Sequence, residues 1–164
     1  MTGEHPETQS HYQVRFDRGE RGARAIAVDA DVLVWADALG APTPPTVPNG
    51  TLLLVTAHDE VDGVGTRVLE RQQQLGRRCI VAVVAAGDRY ADGEFRAAVE
   101  DDLLAGAVVD MLAARGVDFH SPEAAVVAAS AAALRRAVGH LTSASVSARV
   151  AADTESVPRI GSRC

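Results

Sequence analysis

Three short runs of almost uninterrupted apolar residues constrain the fold of this chain more than any other feature. They read Asp-Val-Leu-Val-Trp-Ala over 31–36, Thr-Leu-Leu-Leu-Val-Thr-Ala over 51–57, and Cys-Ile-Val-Ala-Val-Val-Ala over 79–85. Each is short for a helix and lacks a polar face, the pattern of a strand buried on both sides in a parallel sheet. Segments of helical spacing fall between and after them. Residues 61–75 carry Val64, Val68, Leu69 and Leu75 and stop at Gly76,. Residues 95–115 carry Val99, Leu103, Ala107, Val108, Met111 and Leu112 along one side and stop at Gly116. Ser121-Pro122-Glu123 places a capping Ser and a first-turn Pro at the head of a helix expected to run to about Leu141,. A short strand over 12–16, a turn and short helix over 19–25, a short helix near 143–150 and an extended tail over 157–160 complete the expected order.

Strands alternating with helices predict an α/β fold, a single domain with a mainly parallel sheet and flanking helices. The 164 residues suit one domain, expected over 11–160, with a disordered N-terminal tail over 1–10 and a C-terminal tail over 161–164,. Four prolines between Pro42 and Pro48 exclude a helix or an internal strand there and predict a stiff loop,. The alanine-rich stretch over 124–137 is low in complexity, but Ala is the best helix former, so a close-packed or exposed helix is expected.

Charge narrows the function classes. The net charge of −6 opposes general nucleic-acid binding, which needs a basic face,. All 16 basic residues are Arg, and no Lys is present. That excludes a Schiff-base lysine and a lysine-bearing phosphate loop, leaving Arg, backbone amides or a metal to hold an anion. Cys79 opens an apolar run and reads as a small buried thiol. Cys164 is the last residue, and two cysteines make no disulfide framework or metal spacing,. No signal segment opens the chain, and no apolar stretch approaches the roughly 20 residues needed to cross a bilayer, so a cytoplasmic protein with no membrane contact is expected.

Parallel sheets bind ligands beyond the carboxyl ends of their strands. That rule selects Asp37 after the first apolar run, His58, Asp59 and Glu60 after the second, and Gly87, Asp88 and Arg89 after the third. Glu100, Asp101 and Asp102 follow on the next helix. Carboxylates meeting from separate loops suit Mg²⁺, which takes few protein ligands, and Arg89 or Arg67 could then hold an anionic substrate. Taken singly, each acid is more often a helix cap or a surface charge. Asp29-Ala30-Asp31 has the look of a phosphatase Asp-x-Asp but precedes its strand, the wrong end of the sheet. His5, His11, His120 and His140 lie away from expected strand ends, and no Gly-x-Ser-x-Gly elbow is present,.

Several segments together resemble the 2-phosphosulfolactate phosphatase family, especially its actinobacterial branch. They are His-Tyr-Gln-Val-Arg-Phe-Asp-Arg-Gly over 11–19, Asp-Val-Leu-Val-Trp-Ala-Asp-Ala-Leu over 31–39, and Ala-Gly-Asp-Arg-Tyr-Ala-Asp-Gly over 86–93 with its helix bearing Glu100-Asp101. The resemblance implies a Mg²⁺-dependent hydrolase acting on a small anionic phosphoester, 2-phospho-3-sulfolactate in the family. It implies Asp37, Glu100 and Asp101 as catalytic acids and Asp37 and Asp101 as metal ligands. Arg89 and Gly65-Thr66-Arg67 would be the substrate-binding groups.

The chain departs from the family at Gly40-Ala41-Pro42-Thr43, where an Arg/Ser- and Thr-rich turn is usual. It departs again at 56–66, where a Thr-Thr-x-Asn-Gly-Thr loop is rewritten without its Asn, and it lacks a long segment between these motifs. The departures motivate an alternative reading, a non-catalytic relative that binds a ligand or a protein partner. Shortening would also expose apolar surface that a homo-oligomer could bury.

Overall fold

The three apolar runs become neighbouring parallel strands. The computed structural model describes residues 5–40, 43–46 and 50–156. In chain order the elements are β1 (Val14–Arg18), α1 (Gly19–Ile26), β2 (Val32–Ala36), β3 (Thr51–Val55), α2 (Val61–Leu75), β4 (Val81–Ala85), β5 (Asp88–Arg89), β6 (Phe95–Arg96), α3 (Val99–Ala114), α4 (Pro122–Leu134), α5 (Val138–Ser143) and α6 (Val146–Ser156). The main sheet has the order β1-β4-β2-β3, every pair parallel. This is the expected α/β domain with a parallel sheet and flanking helices.

β2 and β4 occupy the centre and are buried along their whole length, which explains their apolar runs. On one face Val32, Val34, Val81, Val83, Val14 and Phe16 pack under α2, α3 and α4. On the other, Leu33, Trp35, Ala82 and Val84 pack under α1. Parallel neighbours need a crossover, usually a helix. Between β2 and β3 that crossover is the proline-rich segment, whose described residues 43–46 form neither helix nor strand.

α2 ends where Gly76 takes φ 62° and donates its N–H to the Gln72 and Gln73 carbonyls. Ser121 Oγ caps α4 by accepting the Ala124 N–H at 3.1 Å. The alanines of α4 have a packing purpose. A Cβ at Gly106 of α3 would lie 2.3 Å from the Val127 carbonyl oxygen and 2.8 Å from Ala131 Cβ, so the two helices meet almost backbone to backbone.

Three expectations need correction. Residues 95–98 are not helical, because Phe95–Arg96 pairs antiparallel with Asp88–Arg89. Gly87 at φ 70° and Gly93 at φ 90° permit that hairpin. The Phe95 ring then closes on Gly19 and Gly87, where a Cβ would fall 2.8 and 2.3 Å from it. The expected helix to Leu141 breaks after Leu134, and the turn lets α5 pack against α3. Residues 5–10 are ordered rather than a disordered tail. Pro6–Thr8 form a 3-10 turn, and the Gln9 amide side chain bonds both backbone groups of Phe16 at 2.8 and 3.0 Å. The expected extended tail over 157–160 and Cys164 lie outside the described residues.

Candidate functional site

The carboxyl ends of β2 and β4, the two central strands, open into one cavity of about 240 Å³. β2 delivers Asp37 to its wall, the β4–β5 turn delivers Gly87 and Asp88, and the first turn of α3 delivers Glu100 and Asp101. The opposite wall comes from α6, with Ser147, Val150 and Ala151. The structure thus brings together Asp37, Glu100 and Asp101, the three acids that the family resemblance implies as catalytic.

Each acid is held differently. Asp37 Oδ1 accepts the Gly40 N–H at 2.6 Å, a tight turn in which any Cβ at residue 40 would press on the carboxylate at 2.4 Å. Asp101 uses both oxygens as a brace between strand ends. Oδ1 accepts the Ala38 N–H at 2.8 Å and Oδ2 the Gly87 N–H at 2.9 Å. Glu100 is only 2% exposed. Its carboxylate makes no hydrogen bond or ion pair among the described residues. Its oxygens line the cavity rather than being sealed away, since the buried side-chain atoms left without a partner among the described residues are Trp35 Nε1 and Arg71 Nε. An acid with no protein partner at a cavity wall is free to meet a ligand there.

Electrostatics follow from this crowding. Burial pushes the Asp101 acid up to about 7, with the neighbouring charges of Asp37 and Glu100 adding to the rise and the Ala38 and Gly87 amides opposing it. Asp88 is paired with Arg96 at 2.6 Å, and the same Arg96 Nη2 reaches Ser147 Oγ at 2.9 Å, tying the hairpin to α6. Arg18 grips Asp102 at 2.8 and 3.0 Å, so that acid is a structural partner. No cation lines the cavity among the described residues. It presents four carboxylates and one hydroxyl, with Leu39, Val150 and Ala151 as its apolar wall.

A raised acid sets the sign of a pH effect. The Asp101 proton is lost at about 3.8 when unfolded and at about 7 when folded, so stability from this group is present at low pH and declines between those values,. Urea unfolding at pH 5 and pH 8 should show a loss on the order of 2–3 kcal/mol from this group. Asp101→Asn, less stable at both pH values, should lack that component; parallel behaviour of the two proteins would disprove the assignment.

The other selected residues lie elsewhere. Arg89 sits on the hairpin and donates to the Gly93 carbonyl at 2.9 Å, with Glu20 at 3.7 Å. Gly65, Thr66 and Arg67 belong to α2 and do not line the cavity. A Cβ at Gly65 would meet Met111 Sδ at 2.3 Å, Thr66 Oγ1 accepts from Arg115, and Arg67 faces a small cleft beside β3. Gly65 is therefore a helix-packing glycine. His58 begins a 3-10 turn and faces a separate cavity of about 220 Å³ with Leu103 and Arg135. Glu60 is a local cap, accepting the Thr56 and Ala57 N–H groups at 2.7 and 3.2 Å. Asp29 and Asp31 serve ion pairs with Arg15 and Arg77 at the opposite ends of the strands. Cys79 is buried and its thiol is pushed up to about 11, mainly by burial.

Sequence reasoning missed the α6 wall and Arg96. Ser147 carries no motif, and only the fold reveals that it closes the cavity. Among the described residues no helix is long and apolar enough to cross a membrane. No protein-family model, curated protein or solved structure matches this chain.

Proposed function

We propose that the acidic cavity is the active site of a divalent-cation-dependent hydrolase for a small anionic phosphoester. The observation that carries this reading is Glu100, a cavity-lining acid with no hydrogen-bond or ion-pair partner among the described residues, beside Asp37 and Asp101 at the ends of the two central strands. The resemblance to 2-phosphosulfolactate phosphatases supports it independently.

The donor set fits Mg²⁺ in one specific way. Among the described residues no three acidic, His or Cys side chains form a metal cage. Mg²⁺ does not need one, since one or two carboxylates, waters and substrate phosphate complete its shell. Asp101 is committed to two backbone amides and Asp88 to Arg96. Asp37 and Glu100 are therefore the ligands of choice, which moves Asp101 from ligand to brace. Bound there, the cation would supply the positive charge that polarises a phosphoryl group.

The chain's own groups do the rest. Four carboxylates repel a free anion, so the cavity excludes a phosphoester that arrives without a cation. Asp101, whose acid lies at about 7, can hold or release a proton inside the cavity in the neutral range,. The volume of about 240 Å³ limits the ester to a small one, and Leu39, Val150 and Ala151 accept its less polar side.

The test is phosphate release from a panel of small phosphomonoesters, 2-phospho-3-sulfolactate included, with Mg²⁺ and with chelator. Turnover on at least one ester should exceed that of Asp37→Asn by at least about 100-fold and vanish with chelator. Equal rates in wild type and variant, or no turnover on any ester, overturn the proposal in favour of a non-catalytic binding module.

A further inference from the structure

The two edges of the main sheet are treated very differently. β1 is an edge strand whose outward backbone groups are all engaged. Val14 donates to the Phe119 carbonyl and accepts from the Ser121 N–H, while the Gln9 side chain meets both groups of Phe16. At β3, the other edge, Thr51 N–H donates to Asp31 and Val55 accepts from Asp37. In a parallel ladder this alternation turns Thr51, Leu53 and Val55 toward β2 and leaves the N–H and C=O of Leu52 and Leu54 facing outward. Those groups have no partner among the described residues. Leu52 and Leu54 are also 36% and 46% exposed, on the same face of the sheet as their register partners Leu33 and Trp35, at the edge beyond the buried cluster under α1. An open apolar edge is a template for another strand.

We infer that the open edge of β3 is the surface on which a second copy of this chain docks, extending the sheet antiparallel across a two-fold axis near Leu53. The edge is self-complementary in two ways. With the axis at Leu53, Leu52 lies opposite Leu54 of the second copy and each exchanges both backbone hydrogen bonds with the other. Their side chains then pair on one face of the joined sheet, covering the exposed leucines.

On the opposite face, Arg67, Glu70, Arg71 and Gln74 of α2 line a cleft of about 110 Å³ with Thr51 and Leu53. The midpoint of those four helical positions falls between Glu70 and Arg71. The same two-fold axis therefore sets the two α2 helices antiparallel and brings Glu70 of each copy toward Arg71 of the other. Neither Glu70 nor Arg71 has an ion-pair partner within its own chain among the described residues. An isologous interface requires this reciprocity. A five-residue strand edge alone is too small for a stable dimer, and α2, about 22 Å long, supplies the remaining contact.

Light scattering on the eluting full chain should give about twice the 17.1 kDa chain mass at 100 µM or so,. Leu52→Lys with Leu54→Lys, both at solvent-facing positions, should give a folded monomer by circular dichroism. Glu70→Arg should weaken the dimer, and adding Arg71→Glu should restore it. Hydrogen exchange should show the Leu52 and Leu54 amides protected in the wild type and exposed in the double-lysine variant. A monomeric wild type overturns the inference, and so does a dimer that persists with Lys at 52 and 54.

Discussion

Arg15→Ala should cost about 3–5 kcal/mol, a large part of the roughly 5–15 kcal/mol that holds a domain of this size together. Arg15 is fully buried near the start of β1. All five of its N–H groups find acceptors: Nε donates to the Tyr12 carbonyl at 3.1 Å, Nη1 to Ile26 at 3.1 Å and to Asp29 Oδ1, and Nη2 to Ser10 at 3.1 Å and Asp29 Oδ2 at 3.2 Å. The guanidinium thereby ties the entrance to β1, the end of α1 and the approach to β2. Truncation leaves a side-chain-sized void and removes the donor from three carbonyls, of which Ile26 is buried and Tyr12 and Ser10 are part-buried,. Asp29→Ala should cost much less, about 1 kcal/mol, because the Asp29 side chain is 57% exposed and the carbonyl bonds survive,. Guanidinium denaturation of both variants gives the comparison. A loss below about 1 kcal/mol for Arg15→Ala would show that the network is dispensable.

The fold was largely legible because burial writes itself into strands. The runs at β2 and β4 are apolar without interruption, since both faces are covered, and α2 was bounded correctly because Gly76 ends it in a left-handed turn. Where burial was less uniform, local pattern misled. Phe95 stands four residues before Val99 and so extends the helical spacing, yet glycines at 87 and 93 fold it into a hairpin instead. Arg15 occupies the polar position of a strand that alternates apolar and polar residues, and α1 covers that face. Polar alternation marks one face of a strand without saying whether water lies there.

The site was half legible for a similar reason. Strand-end position is a topological signal, and it found Asp37, Gly87, Asp88 and the acids of α3. It could not find the α6 wall, which comes from a distant segment. Nor could it separate Asp101, which braces Ala38 and Gly87, from Glu100, which braces nothing. Adjacent acids in one helical turn look equivalent in sequence, and their roles diverge only when hydrogen bonds are assigned. Gly65-Thr66-Arg67 shows the converse error. A short motif carried by resemblance lies within a helix, where Gly65 serves close packing against α3.

Glu100→Gln should move stability and function in opposite directions. The wild-type side chain lines, without a partner among the described residues, a cavity that already holds Asp37 and Asp101, so its charge repels theirs and raises the energy of the empty protein. Removing that charge while keeping the shape should stabilise the cation-free protein by about 1–2 kcal/mol at pH 8. The gain should shrink toward pH 4, where Asp101, whose acid lies at about 7, carries its proton in both proteins and no longer adds its charge to the cavity,. The same change deletes one of the two carboxylates proposed to hold Mg²⁺, so cation affinity and phosphoester turnover should each fall by at least about 100-fold. Asp101→Asn provides the contrast. Its carboxylate accepts two backbone N–H groups, and an amide can accept only one of them while turning its own donor on the other, so this variant should lose stability,. Thermal unfolding with and without Mg²⁺ at pH 8 reads stability and binding together. The wild type should gain melting temperature from Mg²⁺, whereas Glu100→Gln should start higher and gain nothing. If Glu100→Gln unfolds at or below the wild-type temperature without metal, Glu100 has a structural partner after all. If it still responds to Mg²⁺ as the wild type does, the cation is held elsewhere.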